Sequence, residues 1–197
     1  MIFLGFSGNF SDDSKAGRRE KMMRLFVALE PSPDFREALA AVQSRLQAIG
    51  VTGRYLSPSN LHLTLAFIGM WPEDVSGLLP RVPQPFSITL SCLGVFPEAK
   101  VLWAGVKPSE ALENLAADVR RVLSGAGVPF DRKNFNPHIT LLRKPHIPEQ
   151  VHFTEIEVPP AVMTVRDVCL YRSDRTEHGM AYTVIGRSKA SPRQAKQ

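Results

Sequence analysis

Cysteine, tyrosine, tryptophan and long apolar runs are all scarce in this chain. Its two cysteines, Cys92 and Cys169, each lie among apolar neighbours. They exclude a disulfide framework and read as two buried thiols of a reducing compartment. No segment approaches the ~20 apolar residues that cross a bilayer. The apolar start, residues 2–6, is too short for a secretory leader and has no basic lead-in. A soluble, cytoplasmic protein that does not engage a membrane is expected. Neither a P-loop nor a dinucleotide-binding glycine run occurs. Cys, His, Asp and Glu do not gather in ligand spacing, so no metal or other cofactor is expected. Serine-type catalysis lacks a recognisable nucleophile with an orienting acid.

A basic excess is also missing from the body of the chain, although the formal net charge is +5. Residues 1–23 carry four Lys/Arg and three Asp/Glu, and residues 186–197 carry four Lys/Arg and no acid. Residues 24–185 hold the remaining sixteen of each sign. Global basicity is therefore a tail property and weak ground for a nucleic-acid surface. Local charge says more: between Asp131 and Lys144, Arg132, Lys133, Arg143 and Lys144 face a single acid.

What is present is an ordinary globular composition, 44% hydrophobic and 22% charged over 197 residues, which suits one domain or two small lobes. Residues 1–22 are expected to be a disordered extension and residues 188–197 a disordered basic tail, around a single domain at 23–187. Residues 24–30 read as a buried strand. Ser32 and Pro33 then cap and open a helix with Phe35, Leu39, Val42, Leu46 and Ile49 on its apolar stripe, stopped at Gly50. Residues 54–60 read as a loop, 61–68 as a strand, 71–79 as a short helix and 86–93 as a strand. The pattern then returns. A strand at 101–106 leads to Pro108-Ser109 and a helix with Leu112, Leu115, Val119 and Val122, stopping at Gly125 or Gly127. A polar loop leads into a strand from His138. Residues 162–171 read as one strand, 172–179 as a long polar turn and 180–185 as a returning strand.

Pro31-Ser32 recurs as Pro108-Ser109 and Gly50 as Gly127, each 77 residues on, while His62 recurs as His138, 76 on. The order strand, capped helix, glycine stop, polar loop and strand is kept. This predicts an internal duplication, residues 24–69 and 101–143, each copy giving one strand to a shared site. The strands carry His62-Leu63-Thr64-Leu65 and His138-Ile139-Thr140-Leu141. Alternation places each imidazole and its threonine on one face. A lone His-x-Thr carries little information, but two at equivalent places in a repeat are specific.

Two histidines without metal ligands suit phosphoryl chemistry. A neutral imidazole takes a proton from water and a protonated one gives a proton to the leaving alkoxide. Threonine hydroxyls can hold non-bridging oxygens, and an arginine can offset the charge of a five-coordinate intermediate. Phe26, Trp103 and Tyr171 are candidates to stack on a base, and Arg132 and Lys133 to touch a backbone.

The stretches Leu61-His62-Leu63-Thr64-Leu65-Ala66-Phe67-Ile68-Gly69 and Asn136-Pro137-His138-Ile139-Thr140-Leu141-Leu142-Arg143 resemble the paired motifs of the two-histidine (2H) phosphoesterases. Within them the likeness is to the RNA 2′,3′-cyclic phosphodiesterases, also called 2′-5′ RNA ligases. Arg24-Leu25-Phe26-Val27-Ala28 and Leu170-Tyr171-Arg172-Ser173 are similar to that family's first and late strands. The resemblance implies an α+β, bilobal, pseudo-two-fold fold with antiparallel sheets and a central cleft. It implies hydrolysis of a terminal 2′,3′-cyclic phosphate to a 2′-phosphate, acting on RNA or oligonucleotide ends with no cofactor and no obligate protein partner. His62 would be the general acid, His138 the general base, and Thr64, Thr140 and Arg143 the phosphate contacts. Arg143 is five residues past His138, so strict alternation puts it on the opposite face unless the strand bends or ends. A phosphodiesterase or ligase of 2′-5′ linkages, an enzyme for a nucleotide-derived cyclic phosphate, and a non-catalytic RNA-end binder are the alternatives.

Overall fold

The first strand, β1 (Met23–Leu29), sends Leu25, Val27 and Leu29 to one face and Phe26 and Ala28 to the other. That division runs through the whole molecule. A computed structural model describes residues 21–152, 156–177 and 179–188; the expected disorder of the N-terminal extension and the basic tail falls, but for residues 21, 22 and 188, outside them. Further strands are β2 (Thr52–Tyr55), β3 (Leu63–Trp71), β4 (Phe86–Phe96), β5 (Val101–Val106), β6 (His138–His146), β7 (Val162–Val165), β8 (Cys169–Thr176) and β9 (Gly179–Arg187). They form one sheet in the order β7-β4-β5-β6-β3-β1-β8-β9, with β2 attached to β6. The described pairings are antiparallel. The fold is therefore α+β around one large sheet, not two separate sheets, and the two motif strands β3 and β6 are direct neighbours at its centre.

Two helices cover one face. Helix α1 (Pro33–Ala48) begins where Ser32 Oγ accepts from the Phe35 N–H at 3.4 Å. Helix α2 (Glu110–Gly125) begins where Ser109 Oγ accepts from the Leu112 N–H at 3.3 Å. Phe35, Leu39, Val42 and Leu46 of α1 and Leu112, Leu115, Ala116 and Val119 of α2 pack on Leu25, Val27, Leu63, Leu102 and Ile139 in one core. Two expected core positions differ. Ile49 lies beyond the last helical residue and is 42% exposed, and Leu123 takes the buried place expected for Val122. Gly50 and Gly127 end the helices at φ of +86° and +72°, where glycine carries no Cβ penalty.

Five further expectations are corrected. Within 54–60, residues up to Tyr55 belong to β2, which pairs with β6; its mostly exposed side chains hide it from a hydrophobic pattern. The helix expected at 71–79 is the end of β3 and a single 3-10 turn at Ser76–Leu78. There the Asp74 carboxylate accepts from the Ser76 N–H at 2.8 Å, a local bond that competes with helix. The single strand expected at 162–171 is two, β7 pairing with β4 and β8 with β1. The long turn expected at 172–179 is mostly strand, because β8 continues to Thr176 against β9. Cys169 is buried as expected, but Cys92 is exposed. It sits in a bulge of β4, between Leu90 opposite Val106 and Leu93 opposite Ala104.

Candidate active site

The face opposite the helices carries both motifs. Leu63 pairs with Ile139 where β3 meets β6. Continuing that antiparallel register by one residue each way sets His62 opposite Thr140 and Thr64 opposite His138. Both motifs thus face the same side of the sheet where β3 meets β6, close enough that the charge of His138 acts on His62. His62 itself immediately precedes β3.

The two imidazoles are held in the same way. His62 Nδ1 lies 2.7 Å from the Asn60 carbonyl, and His138 Nδ1 lies 2.7 Å from the Asn136 carbonyl. A carbonyl only accepts, so each Nδ1 carries the proton and each Nε2 keeps the lone pair for chemistry. Asn60 is itself tied down. Its Nδ2 donates to the Met180 carbonyl at 2.7 Å, and its Oδ1 accepts from the Tyr182 N–H at 3.3 Å. The recurrence of Asn two residues before each His was a signal in the sequence that the His-x-Thr reading left unused.

Aromatic rings hold the imidazoles from the sides. Phe26 lies 4.7 Å from the His62 ring and stacks on Tyr171 at 5.0 Å, while Tyr182 meets His62 edge-on at 5.0 Å. Phe96 meets His138 edge-on at 4.9 Å, and Trp103 lies 6.1 Å from it. Trp103 needs Gly94 beneath it, since a Cβ there would come within 2.2 Å of the indole. Phe26 and Tyr171, read as candidates to stack on a base, are 3% and 4% exposed. They support the His62 ring, and Phe26 also lines the cleft beside it.

Burial lowers both histidines. Desolvation brings His62 down to about 4, with the charges of Arg143 and His138 adding to it and the bond to the Asn60 carbonyl opposing it. His138 is lowered by burial and by Arg143, against its bond to the Asn136 carbonyl.

Arg143 shares this face, and β6 continues past it to His146. A β-bulge resolves the parity. Trp103 pairs with Thr140 and its neighbour Leu102 with Leu142, so Leu141 is an extra residue without a partner in β5. From there the alternation is inverted, and Arg143 opposite Val101 returns to the side of His138. A cleft of about 230 Å³ is lined by His62, Thr64 and Arg143 together with Arg24, Ser173 and Tyr182. Arg24 was missed, although alternation back from Phe26 points to it; its guanidinium sits 5.0 Å from the Phe67 ring centroid. The Ser173 hydroxyl is buried without a hydrogen-bond partner among the described residues. Arg132 and Lys133 lie outside this cleft, Arg132 over the Phe130 ring and Lys133 beside Asp131 at 3.6 Å. His146 and His152 are exposed, and His178 lies outside the described residues. Among the described residues no group of His, Cys, Asp and Glu could hold a metal ion, and no helix is long and apolar enough to cross a membrane.

Known proteins resemble this chain in both sequence and fold. The family described as the 2′-5′ RNA ligase superfamily matches residues 31–177. A protein of Archaeoglobus fulgidus named RNA 2′,3′-cyclic phosphodiesterase is 34% identical over 173 residues, covering 81% of this chain and 96% of its own. One of the same name from Aquifex aeolicus is 31% identical over 188 residues, covering 84% and 96%. The crystal structure of E. coli LigT in apo form has a TM-score of 0.71 to this chain at 28% identity, covering 87% and 99%. LigT complexed with 3′-AMP gives 0.69 at 29%, over the same shares.

Proposed function

The chain belongs to the 2′-5′ RNA ligase superfamily, and from that premise we propose that it hydrolyses the 2′,3′-cyclic phosphate at an RNA end to a 2′-phosphate without a metal. The observation that carries the reading is the matched pair of imidazoles, each with Nδ1 fixed by a carbonyl and Nε2 left to act, beside two threonines. Water attacks phosphorus as His138 Nε2 takes its proton. The bond from phosphorus to O3′ breaks as His62 Nε2 gives a proton to O3′. Thr64 and Thr140 donate to non-bridging oxygens, and Arg143 offsets the charge of the five-coordinate intermediate. Residues 23–187 act as one catalytic unit. Its duplicated origin is supported by a strand order that reads alike from both edges toward β6 and β3.

The test is a short RNA ending in a 2′,3′-cyclic phosphate, incubated with the protein in EDTA. A 2′-phosphate product at an unchanged rate is expected. A 3′-phosphate would show the other bond breaking, loss of turnover with chelator would end the metal-free mechanism, and tight binding without turnover would make the protein an RNA-end binder.

The lowered histidines give a pH signature. One imidazole must be protonated, yet in the free protein His62 is held at about 4 and His138 below its usual 6.5. The bound phosphate anion favours the charged form and raises the pair. kcat/KM, which reports the free enzyme, should begin its alkaline fall below pH ~6.5, and kcat, which reports the complex, at a higher pH. Coincident profiles would contradict this electrostatic account.

A further inference from the structure

The bulge that returns Arg143 to the site leaves the backbone of Leu141 outside the ladder with β5, and its carbonyl needs donors. They come from the other copy of the repeat. The Leu56 N–H donates to the Leu141 carbonyl at 2.9 Å. The amide of Gln43, on α1, donates to the same carbonyl at 2.9 Å and to the Leu56 carbonyl at 2.9 Å. Gln43 is the polar residue that α1 buries, 7% exposed amid Leu39, Val42 and Leu46. A buried amide with both N–H groups committed is costly to keep in an apolar face, and removing it leaves carbonyls unpaired.

The other half repeats the device. Ala28 pairs with Thr64 and Val27 with Ala66, so Leu65 is the extra residue of β3, one past its threonine as Leu141 is. Its carbonyl accepts from Arg120 Nε at 3.2 Å, and Arg120 Nη1 donates to the Lys133 carbonyl at 3.0 Å. Gln43 and Arg120 are 77 residues apart, as are Leu56 and Lys133. Each helix therefore secures the bulge in the other copy's motif strand. Beyond each bulge, the residue three past the threonine reaches the cleft: Arg143 in β6 and Phe67 in β3.

We propose that Gln43 is a positioning residue: by holding the Leu141 bulge it sets the strand parity that aims Arg143 at the substrate phosphate, with Arg120 as its counterpart behind Phe67. The catalytic consequence rests on the function proposed above. The geometric part does not, since it concerns only where Arg143 points.

A double-mutant cycle tests it. Gln43→Met should lower kcat/KM about ten-fold in the native background and less than about two-fold when Arg143 is already alanine. Arg120→Met should cost as much in either background. Equal losses for Gln43→Met in both backgrounds would reduce Gln43 to a structural residue, and so would no loss in the native one. A cost for Arg120→Met that also vanishes would show general loosening instead of the assigned pairing. NMR titration of the His138 ring tests the aim of Arg143 without turnover. Arg143→Ala should raise the His138 pKa by removing a nearby positive charge, and Gln43→Met should raise it by a similar amount; no movement in Gln43→Met overturns the proposal. Should Gln43→Met fail to fold, Gln43→Asn keeps the amide but shortens its reach and gives the same comparison. A protein inactive on cyclic-phosphate RNA would sink the functional reading while leaving the titration to decide the geometric one.

Discussion

Replacing either His62 or His138 by alanine is expected to lower kcat/KM by about 10²–10⁴-fold, measured on an RNA with a terminal 2′,3′-cyclic phosphate. Each imidazole is the only titrating side chain that its motif places on the open face, and each is oriented by a main-chain carbonyl, Asn60 O or Asn136 O, at 2.7 Å. Aromatic rings flank both imidazoles and help fix their orientation. The roles are coupled: water gains no activation if O3′ cannot be protonated as it leaves. The double variant should therefore fall far less than the product of the single losses. Activity within a few-fold of native for either single variant would break the two-histidine mechanism. Loss in one alone would point to a single general base with solvent as acid.

Much of this site was legible in the sequence because a β-strand has a short, rigid period. The placing of His62 with Thr64, and His138 with Thr140, comes from alternation. The two helices were legible from cap and stripe, Ser32 with Phe35 and Ser109 with Leu112. The hidden features have a common cause in pairing. β2 exposes most of its side chains, so only its backbone bonds to β6 reveal it. The 172–179 segment looks like a loop because its residues are polar, yet Arg172 to Thr176 pair with Thr183 to Gly179. The direct adjacency of β3 and β6 is likewise a long-range choice. Two separate faces meeting across a cleft and two neighbouring strands in one sheet would write the same His-x-Thr pattern. Phe26 and Tyr171, buried beside the His62 ring, show that an aromatic next to a site histidine can support it as well as face a ligand.

Arg143→Ala should lower kcat/KM by about 10²–10³-fold, mostly through kcat, because the charge it meets builds up only in the five-coordinate state. Five residues from His138, an arginine on an unbroken strand would point toward the helices and contribute nothing to the reaction. The unpaired Leu141 inverts the alternation, and the same arginine then lines the cleft with His62 and Thr64. Its charge is close enough to depress both histidines. Removing it should therefore do two things at once, slowing the chemical step and moving the alkaline limb of kcat/KM to higher pH as both imidazoles regain their protons more easily. Lysine should restore only part of the rate, since an ammonium cannot present two parallel N–H groups to two phosphate oxygens. An alanine variant that loses affinity for the RNA but keeps kcat would make Arg143 a ground-state contact. One that keeps both would put the arginine back on the outer face, where simple alternation had left it.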